Sequence, residues 1–409
     1  MKIKLMYDIS VVGISMSYKT SRTGIYRVVA ELLKELDRNE ELSIEFSNTG
    51  VTRYLKNTRK FLQEEGFTQK LNNKLIYPLP DKILGRGRRK LSLLYGLIGI
   101  DINLISYNED AFEEADIFHT PFYKIPDQAK NFSNLKRCIT IHDLVPILYP
   151  DLHNKRQETE DVISSIGDDY AICVSENTRN DLLNYDQKLH PDNVFVSHLA
   201  ADPDKFYHCT DSEKFKAIKE KYHLQDNYFL SLCTLEPRKN LDRLIRCFNT
   251  FIKQQKINDL SLVLVGGKGW KFEKIFDEIE HSEGLRDRII VTGWLPDDDL
   301  ASIYSNAHSF YYISQYEGFG LPPLEAMQCG VATVTSNTSS LPEVVGDAAI
   351  TVDPFSDEEI CNAMHEFYFQ NELRQLFRQK GIEQAEKFSW KKTGSKYVDI
   401  YKKILNWQE

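Results

Sequence analysis

The sequence predicts an α/β chain of two doubly wound domains, each a largely parallel sheet covered by helices, facing one cleft. Three observations predict it. Short apolar runs rich in β-branched and aromatic residues alternate with helical patterns from end to end, the form repeated βα units take. The alternation breaks at residues 199–211, where LAADPDKFYHCTD carries Pro203, several Asp residues and no periodicity, and then begins afresh. At 409 residues the chain exceeds one ordinary core and suits two units of roughly 150 to 200 residues each. The expected boundaries are a Rossmann-like first domain at 1–203, a Rossmann-like second domain at 204–388 and a tail helix at 389–409 packing back onto the first.

Residues 2–6 read as the first strand. From Gly24 onward Ile25, Val28, Val29, Leu32, Leu33 and Leu36 fall at helical spacing, so one face of that helix is buried. Strands follow at 44–46, 117–119, 138–141, 171–174 and 194–196, and Ser175 caps a helix running through Thr178 and Leu183. Between 51 and 114, Lys, Arg and Asn are frequent, and the stretch reads as helices and loops without a firm register. The second half places strands at 229–233, 262–265, 289–291, 310–313, 332–335 and 349–352, with a helix over 241–252 capped by Asn240.

Hydrophobic residues make up 42%, charged 27% and aromatic 11%, inside the globular range. With a net charge of −9 and no basic run long enough to neutralise a duplex, nucleic acid is excluded as a partner. Arg86, Arg88, Arg89 and Lys90 precede the apolar run 91–100. Residues 86–100 therefore fit either peripheral contact with an anionic membrane near a lipid-linked acceptor, or a packed helix behind a solvated basic turn. The run is too short to span a bilayer, and no signal-peptide pattern opens the chain. Seven scattered cysteines, with no CxxC pair, point to reduced thiols in a cytosol. The expected location is cytoplasmic, at most peripheral at the inner face of the membrane.

Three constellations fall at strand ends. In YEGFGLPPLEAMQCG, residues 316–330, Glu317 stands in a loop and Glu325 is expected in the first turn of the following helix. Gly318 and Gly320 allow close backbone approach, Pro322 and Pro323 preset the helix and Gly330 ends it. Two carboxylates accept hydrogen bonds from sugar or ribose hydroxyls, and the free N–H groups of a helix start attract an anion. In LEPRKNLDRL, residues 235–244, Arg238 and Lys239 stand before a helix start, where cations call for a compensating anion such as a diphosphate. In ITIHDLVP, residues 139–146, His142 and Asp143 end a strand of the first domain. The histidine suits either a catalytic part, orienting a substrate hydroxyl or taking a proton, or bonding a backbone carbonyl in the core. His119, in FHTPFY, is its companion on the acceptor side. Gly24 opens the first helix without a full glycine-rich fingerprint. Asp297, Asp298 and Asp299 read as helix capping rather than a metal cluster, and no metal is expected. Gly266 and Gly267 either cradle phosphate or turn the chain.

Together these residues resemble the retaining glycosyltransferases of family 4, or group 1, whose fold is the two-Rossmann glycosyltransferase-B architecture. The marks are EPRKNL at 236–241, LVGGKGW at 264–270, TGWLPDDDLASIYSNA at 292–307, YEGFGLPPLEA at 316–326 and SNTSSLPEVVGDAA at 336–349. The resemblance implies that Glu317 holds the donor sugar and Glu325 the ribose. It implies that Arg238 and Lys239 bind the diphosphate, that Gly266 and Trp294 lie at the donor side, and that Phe319, Gly320 and Leu321 offer main-chain groups. His142 would line the sugar pocket. Cys233 and Thr234 stand where many members carry an arginine, a place Arg238 fills instead. The RTGIxRV pattern around Gly24 is similar to mannosyl- and rhamnosyltransferases of surface polysaccharide assembly. The implied activity is metal-independent, retaining transfer of a hexose such as mannose or rhamnose from a nucleotide-diphosphate sugar to a glycan or lipid-linked acceptor, with no cofactor. The rivals are a sugar-nucleotide epimerase, a catalytically silent nucleotide-sugar-binding subunit and a nicotinamide oxidoreductase, the last disfavoured by the missing glycine fingerprint.

Overall fold

The computed structural model describes residues 2–16, 24–69, 71–75, 104–152 and 155–406. The basic and apolar run at 86–100 lies outside the described residues, as do Arg22 and Thr23.

Two parallel six-stranded sheets carry the fold. The first contains β1 (Ile3–Asp8), β2 (Leu42–Ser47), β6 (Ile117–Thr120), β7 (Lys136–Ile141), β8 (Tyr170–Cys173) and β9 (Val194–Val196), in the order β2-β1-β6-β7-β8-β9. The second contains β10 (Asn227–Leu232), β11 (Leu260–Val265), β12 (Ile289–Gly293), β13 (Ser309–Tyr312), β14 (Thr333–Ser336) and β15 (Ile350–Val352), in the order β12-β11-β10-β13-β14-β15. Strands such as LSLVLV in β11 are buried at every residue because helices cover both faces, which is why the runs are apolar rather than alternating. In an order of this kind the ligand crevice opens where the winding reverses, here at the carboxyl ends of β10 and β13 in the second sheet. The segments LEPRKN and YEGFG follow those two strands.

The weakly patterned stretch holds elements that periodicity did not reveal. A helix spans Thr52–Glu64, and a small antiparallel sheet joins β3 (Gly50–Val51), β5 (Leu104–Tyr107) and β4 (Asn73–Leu75). Strands of two to four residues are too short to display an alternation.

Helix ends differ from expectation in two places. Ser175 caps its helix as expected, its Oγ accepting the Thr178 N–H. Asn240 does not cap: it is left-handed at φ 59°, and its amide donates to the carbonyls of Ile313 and Pro354, tying the β10 turn to the ends of β13 and β15. Glu325 lies in the second turn of the helix Leu321–Gln328, one turn later than expected, because Gly320 at φ 123° serves as N-cap.

The last helix, Trp390–Ile404, starts beyond the second sheet and lies against Ile25–Asp37 of the first domain. Its Gly394 leaves no room for a side chain, since a Cβ would stand 2.7 Å from that of Glu35. Among the described residues no helix is long and apolar enough to cross a membrane. The seven cysteines are free thiols, six of them buried.

Candidate active site

The carboxyl end of β10 delivers a short 3-10 turn, Pro237–Lys239, and the carboxyl end of β13 delivers the loop that holds Glu317. The two are joined by the main chain as well as by charge: the Arg238 carbonyl accepts from the Gln315 N–H at 2.8 Å and from the Ser314 hydroxyl at 3.1 Å. Lys239 Nζ donates to Glu317 Oε1 at 2.6 Å and to the Tyr312 hydroxyl at 2.6 Å, and the Tyr312 hydroxyl donates to the same oxygen at 2.8 Å. Arg238 Nη1 stands 2.8 Å from Glu317 Oε2, while Nη2 bonds Glu236 at 2.9 Å. The cations expected to need an anion thus have two carboxylates, and these balance them before any ligand arrives. Burial alone would raise the Glu317 pKa, but Arg238 and Lys239 outweigh it and hold the carboxyl at about 2. Burial likewise opposes the Arg238 charge, and Glu317 and Glu236 overcome it and raise its pKa.

Beyond Glu317 the loop presents unused donors. The Glu317 N–H donates to Ser339 Oγ, and the Ser340 hydroxyl donates to the carbonyls of Glu317 and Phe319 at 2.9 and 2.6 Å, fixing the loop from behind. The N–H groups of Gly318, Phe319, Gly320 and Leu321 have no acceptor among the described residues. Consecutive free N–H groups at a helix start form a cradle for an anion. The Phe319 ring turns away from it, packing 6.0 Å from both His198 and Phe388.

The first domain closes onto this loop. Ser175 Oγ and Thr178 Oγ1 donate to the Gly318 carbonyl at 2.7 and 3.1 Å. A Cβ on Gly318 would stand 1.8 Å from the His142 carbonyl oxygen and 2.8 Å from Asp143 Cβ, so only glycine permits the contact. His142 itself donates from Nε2 to the Pro121 carbonyl at 2.8 Å, and burial lowers its pKa, keeping the ring neutral with Nδ1 as its acceptor atom. The backbone-carbonyl alternative is thus the one observed, and it leaves Nδ1 as the ring atom open to a further partner. Asp143 accepts from the Val145 N–H at 3.0 Å.

Glu325 belongs to a separate cluster and shares no partner with Glu317. It accepts from the Tyr304 hydroxyl at 3.2 Å, and its Oε1 stands 3.6 Å from Arg27 Nη1. Arg27 comes from the first-domain helix, also pairs with Asp297, and lies over the Phe206 ring at 5.6 Å. Burial raises the Glu325 pKa, and Arg27 opposes that only in part. Arg27 is thus a partner of Glu325 to which sequence reading gave no role. The available signal was a cation inside the apolar stripe Ile25, Val28, Val29.

Several expectations are corrected. His119 is fully buried in the core, with Nδ1 2.6 Å from the Tyr401 hydroxyl and Nε2 2.9 Å from Thr140 Oγ1. Nδ1 holds the last helix and Nε2 the neighbouring strand β7, burial drives the pKa to about 3, and no ring atom is left for an acceptor. Gly266 is required by the chain itself: at φ 147° a Cβ would stand 1.8 Å from the Cys233 carbonyl oxygen. Asp297 and Asp299 do not cap their helix; they bind Arg27 and the Lys221–Tyr222 pair respectively. Trp294, at the end of β12, is 40% exposed and free to stack on a planar ligand. Gly24 stands at φ 52° at the head of its helix with open space where a Cβ would lie.

The comparisons agree with this geometry. Residues 212–384 match the model of glycosyl transferases group 1. O-antigen chain mannosyltransferase B of Escherichia coli is 32% identical over 296 residues, covering 70% of this chain and 74% of that protein. Serotype-specific mannosyltransferase WbdA of Escherichia coli is 29% identical over 299 residues, which are 70% of this chain but 36% of that longer protein. Among solved structures, sucrose-phosphate synthase from Thermosynechococcus elongatus superposes with a TM-score of 0.69 at 15% identity, covering 100% of both chains. WaaG, a glycosyltransferase involved in lipopolysaccharide biosynthesis, gives 0.64 at 15% identity over 98% of this chain and 99% of that one. Two parallel sheets of matching architecture, the group 1 match and this degree of identity establish that the chain belongs to the group 1 glycosyltransferases, with the glycosyltransferase-B fold.

Proposed function

We propose that this glycosyltransferase moves a hexose, with mannose from GDP-mannose as the first donor to try, onto a glycan or lipid-linked acceptor in surface polysaccharide assembly at the cytoplasmic face of the membrane. The observation that carries the reading is the cradle beside Glu317: four consecutive free N–H groups with Arg238 and Lys239 at hand. In this reading Glu317 binds a hydroxyl of the transferred sugar, Arg238 and Lys239 bind the diphosphate, Glu325 binds the ribose and Trp294 stacks on the base. The names of the Escherichia coli relatives support the choice of mannose.

Transfer proceeds with retention and without a metal. The acceptor hydroxyl oxygen bonds the anomeric carbon on the face the diphosphate leaves. The bond to the diphosphate oxygen breaks, and the acceptor proton passes to a phosphate oxygen of the leaving group. The charge that accumulates there is met by two fixed cations and the loop N–H groups, preorganised donors of the kind that stabilise a developing anion. Neutral His142 accepts a hydrogen bond from a sugar hydroxyl through Nδ1.

A thermal-shift screen against GDP, UDP, dTDP and ADP sugars identifies the donor, because a tight ligand raises the midpoint by mass action. With that donor, Lys239→Ala and Glu325→Ala are each expected to lower turnover at least about tenfold without unfolding the chain, since a charge-assisted hydrogen bond contributes roughly 1.5 to 3 kcal/mol. Near-normal rates in both variants would overturn the assignment. Conversion of the donor without an acceptor would point to an epimerase, an inverted anomer in the product would refute retention, and loss of transfer in chelator would refute metal independence.

A further inference from the structure

A second site lies at the opposite end of the second sheet from the cradle. A cavity of about 380 Å³ opens where the interdomain linker crosses the helix Asn371–Ala385. His208 and Thr210 of the linker line it, with Asn306, His308, Arg374 and Arg378, and the lining holds no carboxylate. A smaller recess of about 260 Å³ shares His208 and Arg378 and adjoins it. His308 immediately precedes β13, whose far end leads to Glu317, so about 13 Å of strand separates the two regions.

The hydrogen bonding leaves donors without acceptors. Arg374 Nη1 bonds His308 Nε2 at 2.7 Å and the Phe367 carbonyl at 2.8 Å. Because an arginine only donates, Nε2 is the acceptor and the His308 proton sits on Nδ1, which is buried with no partner. Arg378 donates Nε to the Gly330 carbonyl at 2.7 Å, and its Nη groups have no acceptor among the described residues. Neither arginine has a carboxylate within ion-pair distance among the described residues. Burial first, and then Arg378 for Arg374, depresses both guanidinium pKa values, the mark of cations held together uncompensated. His308 is lowered to about 4 by burial and by the same two arginines, against a smaller opposing effect from Asp259. In a chain of net charge −9 such a cluster is the reverse of what the bulk composition supplies.

We infer that this cavity is a binding site for a phosphate-bearing ligand, with the unpaired Nη groups of Arg378 as its principal donors and Arg374 as a fixed charge beside them. A tetrahedral anion matches a concave set of donors drawn from three segments, as the guanidinium fork favours phosphate oxygens. Its source is either a soluble phosphate ester or a lipid headgroup.

Thermal-shift titration with inorganic phosphate at constant ionic strength tests the site on the full chain, alongside Arg378→Gln and Lys239→Ala. Phosphate is expected to raise the native midpoint by roughly 2–4 °C. The rise should persist in Lys239→Ala and be lost in Arg378→Gln. Hydrogen exchange on the native chain gives a second readout that needs no variant: phosphate should protect residues 206–210 and 374–378. Flotation with phosphatidylglycerol vesicles then separates the sources, since Arg378-dependent flotation assigns the headgroup and its absence, with the phosphate shift intact, assigns a soluble ester. No phosphate shift in the native chain, a shift that survives Arg378→Gln, or protection confined to residues 317–321 overturns the inference.

Discussion

Replacing Gly318 by alanine should slow transfer by opening the interface between the domains while leaving the donor half of the site in place. The added Cβ would stand 1.8 Å from the His142 carbonyl oxygen, so the two backbones must separate by about 1.5 Å to restore an ordinary contact. The glycine is not in a left-handed conformation, which removes backbone strain as a competing cause. Separation breaks the hydrogen bonds from Ser175 and Thr178 to the Gly318 carbonyl, each with a net value of about 1 kcal/mol. A loss of about 2 kcal/mol from the closed state corresponds to roughly a thirtyfold fall in its population relative to the open one. The expected result is kcat reduced about 10- to 100-fold, with calorimetric affinity for the nucleoside diphosphate changed less than about threefold. A kcat within about twofold of native would refute the reasoning, and an equal loss of nucleotide affinity would move the damage into the donor loop itself.

Glu317→Gln removes the carboxylate that balances Arg238 and Lys239, whose side chains are 13% and 10% exposed. It should cost on the order of 3 kcal/mol in denaturant unfolding and give a larger stabilisation by nucleoside diphosphate than the native chain shows. Glu317, held at about 2, contributes stability that is present above the ordinary carboxyl value of 4.5 and lost as pH falls toward 2. His119, held at about 3, refuses a proton that the unfolded chain accepts below 6.5, so stability also falls between pH 6.5 and 3. Urea unfolding across pH should therefore show Glu317→Gln flattening the lower window and His119→Gln the upper one. Arg27→Met leaves Asp297 and Glu325 without their shared cation and should lower the thermal midpoint, whereas Arg38→Met, at an exposed pair, should not change it measurably.

The fold was legible because several of its main strands are buried on both faces, and runs such as LSLVLV admit few other readings. The short antiparallel strands were not, because pairs such as Asn73 with Tyr107 and Lys74 with Ser106 carry no alternation to detect. At the site, residue types and loop positions were readable from EPRK and YEGFG, but partners were not. Nothing in the spacing says that Glu317 neutralises Arg238 and Lys239, since Lys239 stands 78 residues before it and they meet through the order of β10 and β13. His119 and His142 looked alike as strand-end histidines. They differ because Tyr401, 282 residues away, claims the first ring, whereas the second bonds the nearby Pro121 carbonyl.

The contacts across the cleft suit a reversible closure. Many of them are polar side-chain contacts: Ser175 and Thr178 on Gly318, Glu343 on the N–H groups of Glu176 and Asn177 and on His198, Tyr316 on Asn177 and Asp181, and Arg27 on Asp297 and Glu325. The Tyr149–Tyr316 and His198–Phe319 ring pairs lie beside them. A large apolar interface would hold the domains shut, whereas small polar contacts leave them free to separate. The two carboxylates respond differently to such motion. Glu317 keeps its partners when the domains part, because the cations Arg238 and Lys239 and the hydroxyl of Tyr312 all belong to the second domain. Glu325 does not, because Arg27 departs with the first. Opening therefore leaves Glu325 facing Tyr304 alone, with acceptor capacity for the hydroxyls of an incoming ligand, and closing restores the cation beside it. This asymmetry predicts that Arg27→Met changes the affinity of the open enzyme for nucleotide little and reduces kcat, a split that steady-state kinetics and calorimetry resolve. Equal effects on both would mean that Arg27 supports only the fold of the cleft.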